Sequence, residues 1–486
     1  MLLHTLLKDS EIEYELIYNG ESSLEVSALE FAVAKANKGT LFACVRGKTN
    51  DSHNYADELY DKGVRVFLVE RDILTDKEDI VLIKVQDSRK AFARLLSAFY
   101  GNPAKKMKMI GITGTKGKST TTYMVESIFR AAGKRIGVIG TIGAVFEDKS
   151  WPTKLTTPEP YDLYRILSEM YACGCEYVIM EVSSIGLLMG RVEGIHFDYA
   201  IYTNLSPDHI GGAEHESFDE YLHCKTLLFD IADKALLNSD DEHWQDMIDG
   251  KDISFKTFGI NDNADYQIKN IVCYKDKGLG IKFNYDNDDY VVKCMGKFNA
   301  YNASAAIALA KSEDISYEII YNALLNQKVA KGRVEEVAVS DDFNLIIDYA
   351  HNALSMESLL VTIKEYNPKR IICVFGCGGN RSKLRRYDMG EIAGKYANLS
   401  ILTADNPRDE EVSIIIDDII YGMNKSNGNY IIIEDRKDAI EHAILNAQKG
   451  DIIALIGKGH EDYQEIKGVK YHFDEREVIR DILSKL

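Results

Sequence analysis

Residues 109–133 read MIGITGTKGKSTTTYMVESIFRAAG. The opening MIGIT is a short apolar run with the texture of a buried parallel strand. The closing TTYMVESIFRAAG has helical texture, with Gly133 placed to terminate it. Between them, TGTKGKST (113–120) is rich in glycine and hydroxyl residues. Glycines at such a strand-to-helix turn let the backbone fold tightly and point N–H groups at phosphate oxygens. The helix N-terminus adds partial positive charge. Gly114, Thr115, Lys116, Gly117, Lys118, Ser119 and Thr120 are therefore the candidate nucleotide loop, with Lys118 reaching the outer phosphates and Ser119 helping to hold Mg²⁺. The usual GxxxxGK spacing is not met, because it needs glycine where Ile112 stands.

Outward from this loop, RIGVIG, EYVIM and FDYAIYTN read as further strands, the alternation of a mostly parallel, doubly wound sheet. Residues 250–295 (DISFKTFG, DYQIKNIV, IKFNY, YVVKCM) read as short antiparallel strands attached to that region. Upstream, GTLFACVRG and GVRVFLVE read as strands of a small N-terminal α/β region, closed by a linker at GNPAKKMK (101–108). Downstream of KGRVEEV (331–337), NLIIDYA, RIICVFG, LSILTA, NYIIIED and DIIALIG form a second alternating region. At roughly 100–200 residues per domain, 486 residues suggest about three domains. The boundaries fall at 1–105, 106–331 and 332–486. Glu181, Asp208, His209, Asp348, Gly378, Asp405 and Gly457 follow strands or end them, and ligands in such sheets bind outside the carboxyl ends of the strands. Polar strand ends in both α/β regions suggest a site built between two domains.

Composition excludes other classes. The net charge of −18, with no dense basic stretch, argues against nucleic acid as the main partner. No apolar run approaches the ~20 residues of a spanning helix, and MLLHTLLKDSEIEYEL lacks the basic start and cleavage site of a signal peptide. The eight scattered cysteines include no CxxC and read as reduced thiols. A cytoplasmic protein is expected.

Further stretches stand in series along the chain: TTP (156–158), EVSS (181–184), TNLSPDH (203–209), YLHCKTLLF (221–229), GKFNAYN (296–302), GRVEEV (332–337), DYAH (348–351), FGCGGNR (375–381), DNPR (405–408) and GKGHEDYQ (457–464). With the GTKGKST loop, this order resembles the Mur ligase family, and within it the branch that adds the third residue of the peptidoglycan stem peptide. Folylpolyglutamate synthetases share the loop but match DNPR and GKGHEDYQ less well.

The resemblance implies an N-terminal UDP-sugar-binding-type domain, a central P-loop ATPase-like domain and a C-terminal Rossmann-like, amino-acid-binding domain. It implies an ATP- and Mg²⁺-dependent enzyme that activates a carboxylate as an acyl phosphate and joins it to an amine. Lys118, Glu181, His209 and Lys225 would be catalytic. Ser119, Glu181, His209 and a CO₂-derived carbamate on Lys225 would serve the metal. Asn299, Asn302, Arg333 and Asp348 would contact the nucleotide. Thr156, Thr157, Ser184 and Arg191 would contact UDP-MurNAc-dipeptide. Arg381, Asp405, Asn406, Pro407, Arg408, Gly457 and Glu461 would hold the amino acid. DNPR resembles the form taken by relatives that use meso-diaminopimelate, since Arg408 can grip a distal carboxylate that lysine lacks. DHIGGAEHESF resembles some lysine-adding relatives instead. The chain also departs from the family pattern at Ala32, Val33 and Ala34, where Asp-Ser-Arg usually supports uridine recognition, at Ile185, and after Asn352. Three alternatives stand beside diaminopimelate ligation: use of L-lysine, a different acceptor, and a nucleotide-binding regulator without turnover. A monomer is expected.

Overall fold

The computed structural model describes residues 1–18, 24–47, 50–73, 76–207, 210–211, 214–275, 278–327 and 331–485. The chain forms two compact units, one of residues 1–266 and 305–315, the other of residues 267–304 and 316–486.

The first unit contains two sheets. In the N-terminal sheet, Ala28–Glu30, Thr40–Ala43, Val66–Val69 and Val81–Lys84 run parallel, and Glu15–Tyr18 adds an antiparallel edge. Helix Ser88–Phe99 begins where the Asp87 carboxylate accepts the Arg89 and Lys90 N–H groups, and it buries Phe92, Leu95 and Leu96 in the core. The stretch expected to be a linker is tighter than that. Pro103–Lys106 is a short 3₁₀ turn with Pro103 and Ala104 buried, and Lys108 already opens the next strand.

The larger sheet of this unit has the order Ser254–Gly259, Ala232–Asn238, Phe197–Tyr202, Lys108–Thr113, Tyr177–Glu181, Ile136–Gly140, followed by antiparallel Gly143–Phe146 and Lys149–Trp151. Lys108–Thr113 lies between Phe197–Tyr202 and Tyr177–Glu181, so the loop that follows it emerges between their carboxyl ends. One expectation is corrected here. DISFKTFG pairs parallel with Ala232–Asn238 and extends this sheet, rather than joining an antiparallel lobe. Pairing direction follows from the neighbour a strand meets, which its own residues do not encode.

The second unit holds the antiparallel ladder of Tyr266–Tyr274, Gly280–Tyr285 and Asp288–Val292. Its main sheet has the order Glu335–Val337, Asn344–Asp348, Ile452–Ile456, Ile371–Phe375, Leu399–Leu402, Tyr430–Ile432, parallel except for the first strand. Alternate side chains enter two cores, as the pleat requires. Cys373 and Phe375 pack with Met356, Leu360, Met389 and Ile419 of the helices Ala353–Lys364, Lys383–Tyr396 and Val412–Lys425. Ile372 and Val374 pack with Ile440, Ala443 and Ile479 of Arg436–Leu445 and Glu475–Leu483.

Candidate active site

The glycine-rich loop lies where its sequence placed it, between strand Lys108–Thr113 and helix Lys118–Ala131. A side chain at Gly114 would collide with Thr203 Oγ1, and Gly114 has φ +147°, so only glycine fits there. The following loop is braced by the TNLS segment. Asn204 Oδ1 accepts the Lys116 N–H at 2.9 Å, its Nδ2 donates to Lys116 O at 3.0 Å, and Thr203 Oγ1 donates to the same carbonyl at 2.7 Å. Thr115 Oγ1 lies 3.0 Å from Tyr221 Oη and accepts the Ser206 N–H. Gly117 caps the helix in the left-handed region without a side-chain hydrogen bond, leaving its first turn free of a side-chain cap. A glycine cradle ahead of such a helix end fits a nucleotide's phosphates.

Lys118 Nζ donates to Gly114 O at 2.7 Å and Thr115 O at 3.1 Å. Ser119 Oγ donates to Glu181 Oε1 at 2.8 Å. Glu181 ends its strand almost wholly buried and also accepts the Thr141 N–H (3.2 Å) and hydroxyl (3.1 Å). A buried carboxylate beside a hydroxyl is a hard-oxygen pair that fits Mg²⁺. Lys225, on helix Phe218–Thr226, is 2% exposed, stands over the Tyr221 ring, and donates to Gly114 O at 3.1 Å. Two lysine ammonium groups thus share one carbonyl at the phosphate loop. Asp208 and His209 lie outside the described residues.

The expected acceptor residues flank Glu181. Thr156 Oγ1 is 3.2 Å from Thr141 Oγ1. Thr157 is fully buried and donates to Glu181 O and Ser183 Oγ, while Arg191 donates to Thr157 O and pairs with Glu159 at 2.8 Å. Ser184 Oγ lies 2.8 Å from His215 Nε2, a histidine that sequence reading did not single out. Burial holds His215 below its usual pKa, against the opposing pull of Glu220. Ala32, Val33 and Ala34 form a turn in which the Lys35 N–H donates to Ala32 O, and they bring no polar side chain to it.

In the second unit, the Asn299 amide donates to Met295 O at 2.6 Å and accepts from Asn302 Nδ2 at 2.8 Å. Asp348 accepts the Val334 and Ala350 N–H groups at 2.8 Å each, and burial pushes its carboxyl above the usual range. Arg333 stacks over the Tyr349 ring at 5.5 Å.

The same unit gathers FGCGGNR, DNPR and GKGHEDYQ at neighbouring strand ends. A side chain at Gly379 would collide with Pro407 O, and the Gly379 N–H donates to Asn406 O, so two loops touch backbone to backbone. Asn406 Nδ2 donates to Glu461 Oε2 at 2.9 Å. Gly457 has φ +120° and its open face meets Asp405. Arg408 has φ +52°, donates from Nε to Glu465 Oε2 at 3.0 Å and from Nη1 to Gly379 O at 2.7 Å. Arg381 is exposed. Lys458, which sequence reading missed, is fully buried among them. Its Nζ lies 3.2 Å from Asn406 Oδ1, 3.3 Å from Glu461 Oε2 and 3.5 Å from Asp405 Oδ1. Its signal was a lysine between two glycines directly after a buried strand.

A phosphate loop after the central strand of one parallel sheet and an acid-and-base pocket at the strand ends of another fit a nucleotide-using enzyme. Residues 112–310 match the Mur ligase middle domain and residues 332–459 the Mur ligase glutamate ligase domain. The UDP-N-acetylmuramoyl-L-alanyl-D-glutamate–2,6-diaminopimelate ligase of Caldanaerobacter subterraneus subsp. tengcongensis is 40% identical over 490 residues, covering 100% of this chain and 99% of that one. The enzyme of the same name from Clostridium botulinum is 37% identical over 492 residues, covering all of both chains. A solved structure of a UDP-N-acetylmuramoyl-L-alanyl-D-glutamate–2,6-diaminopimelate ligase superposes with a TM-score of 0.79 at 26% identity, covering 100% of this chain and 99% of that one. The chain belongs to the Mur ligase family and has its three-domain α/β architecture.

Proposed function

We propose that the chain is an ATP-dependent ligase that adds meso-diaminopimelate to UDP-N-acetylmuramoyl-L-alanyl-D-glutamate in peptidoglycan biosynthesis. The observation that carries this reading is the pocket of the second unit, where a fixed Arg408 stands in the same short segment as Asn406, itself bonded to Glu461. The arginine suits a distal carboxylate and the glutamate a distal ammonium, the two groups that diaminopimelate carries together.

Bound Mg²⁺-ATP would supply the phosphoryl group that turns the acceptor's carboxylate into an acyl phosphate. The loop 114–120 would cradle its phosphates, with Lys118 turning from the loop carbonyls toward them. Ser119 and Glu181 would hold the metal, joined by His209. A carbamate on Lys225 would replace one of two adjacent cations with an anion, which supports its role as a further metal partner. Asn299, Asn302, Arg333 and Asp348 would contact the nucleotide. Thr156, Thr157, Ser184 and Arg191 would contact the sugar-peptide, with the hydroxyl of Thr157 already engaged in bracing Glu181. Arg381, Asp405, Asn406, Pro407, Arg408, Gly457 and Glu461 would receive the amino acid. We place the domain boundaries at 105/106 and 331/332, and the protein as a cytoplasmic monomer. No helix among the described residues is long and apolar enough to cross a membrane.

Phosphate release from ATP, measured with UDP-MurNAc-L-Ala-D-Glu and with diaminopimelate and L-lysine offered separately, tests the reading. Turnover with diaminopimelate alone is expected. Turnover with lysine alone would keep the ligase and overturn the amino-acid assignment. Silence with both, in protein that binds ATP, would point to a different acceptor and to Ala32–Ala34.

A further inference from the structure

Glu465 belongs to no motif quoted above, yet it holds the segment Asn406–Arg408 at three points. Its N–H donates to Asn406 Oδ1 at 2.9 Å. Its carbonyl accepts the Arg408 N–H at 3.0 Å. Its carboxylate accepts Arg408 Nε–H at 3.0 Å. The Lys467 N–H then donates to Arg408 O at 2.8 Å. The hairpin Tyr463–Ile466/Val469–His472 therefore clasps Arg408 on both sides of its backbone, which accounts for a non-glycine residue sitting at φ +52°.

The side chain is fixed as well. With Nε on Glu465 and one Nη1 hydrogen on Gly379 O, no other hydrogen bond to the guanidinium is present among the described residues, and Nη2 remains for a ligand. An arginine held this way has already lost the rotamer freedom that binding would otherwise cost. Both side chains of the pair are about a quarter exposed, so the charges still face a wet space.

The charges divide into two groups. Lys458 stands against Asp405 and Glu461, one cation to two acids, which leaves room for an ammonium. Arg408 stands against Glu465, and Arg381 is exposed nearby in the loop whose Gly379 touches Pro407. Without Glu465, Arg408 would lose its one ion-pair partner among the described residues and with it the set direction of its guanidinium. With it, the cationic side is moderated and the remaining guanidinium edge has a set direction.

We propose that Glu465 is a positioning residue that sets amino-acid specificity: it fixes Arg408 so that its free edge meets a carboxylate at the distal end of the incoming amino acid. This rests on the diaminopimelate reading given above. Glu465 exerts its role through Arg408, the side chain its carboxylate holds.

The test is a double-mutant cycle on the full chain with Glu465→Ala, Arg408→Ala and the pair, plus Glu465→Gln. Steady-state constants are measured for diaminopimelate, L-lysine and ATP. Glu465→Ala is expected to raise KM for diaminopimelate by about 10- to 100-fold, the worth of one charged hydrogen bond, with a much smaller change in kcat. The preference for diaminopimelate over lysine, as a ratio of kcat/KM values, falls with it. Glu465→Gln, which retains an acceptor for Nε–H, recovers part of the loss. In the Arg408→Ala background, Glu465→Ala adds little. Losses that add in full, or a fall in kcat/KM shared equally by both amino acids, would overturn the proposal while leaving the ligase reading intact. Wild-type protein that turns over lysine and not diaminopimelate would overturn that reading and the proposal with it.

Discussion

Lys458 has no exposure to solvent and meets Asp405, Asn406 and Glu461 within 3.5 Å. A buried lysine is stable only when paired, and removing it leaves two carboxylates facing each other. Lys458→Met is expected to raise KM for the amino acid by at least about tenfold, the cost of one charged hydrogen bond, and to lower thermal stability while leaving KM for ATP nearly unchanged. Lys118→Ala should behave oppositely. It removes a cation from the phosphate loop and should lower kcat by about 10²–10³ with little change in melting temperature. Steady-state kinetics beside calorimetry separates the two. The placement of residues 114–120 between a strand and a helix, and of Glu181 at a strand end, was legible from the local strand, turn and helix textures, whereas Arg408 stood out only through the family resemblance. Lys458 and Glu465 were not legible, because each depends on a partner on a different strand end, and no local pattern records that pairing.

At the scale of elements, two buried arginines hold the pocket's loops. Arg436, on helix Arg436–Leu445, donates to Ala404 O and Ile456 O and pairs with Glu475, both side chains fully buried. Those carbonyls immediately precede Asp405 and Gly457, so one guanidinium ties the two strand ends that bear the pocket. Arg436→Ala is expected to cost about 3–5 kcal/mol in denaturant unfolding, because Glu475 would be left as an uncompensated buried charge. Arg386 is also buried. It donates to Gly378 O and to Glu410, whose carboxylate accepts the Asn380 N–H. Arg386 holds the Glu410 carboxyl at about 2, below its usual 4.5. A depressed carboxyl stabilises the fold above its unfolded pKa, and that stability is lost as pH falls toward the folded value. Wild type and Glu410→Gln should therefore differ in denaturation midpoint at pH 7 and converge as pH falls from 4.5 toward 2. The strands and helices around these residues were legible from apolar alternation and helix ends. The parallel pairing of Ser254–Gly259 was not, nor was the Tyr463–Ile466 hairpin, whose strands are half-exposed to exposed and lack an apolar signature.

Across the whole molecule, the sequence of strand and helix textures was enough to indicate doubly wound sheets, because such strands are buried on both faces and read as continuous apolar runs. Strand order follows from that alternation only through the crossovers the chain makes. If the first unit binds nucleotide through its glycine loop, a non-hydrolysable ATP analogue with Mg²⁺ should stabilise the protein by about 2.7 kcal/mol at a hundredfold excess over Kd. The melting temperature should rise by a few degrees, and Lys118→Ala or a chelator should diminish the rise.

The most direct measurement follows an oxygen atom. UDP-MurNAc-L-Ala-D-Glu with ¹⁸O in both oxygens of its reacting carboxylate is incubated with the protein, ATP and diaminopimelate, and both products are weighed by mass spectrometry. An acyl phosphate formed on that carboxylate and displaced by an amine leaves one labelled oxygen in each released phosphate and one in the new amide. That result is expected, with a sugar-peptide heavier by one diaminopimelate residue. Unlabelled phosphate, or labelled phosphate with no diaminopimelate adduct, would contradict it.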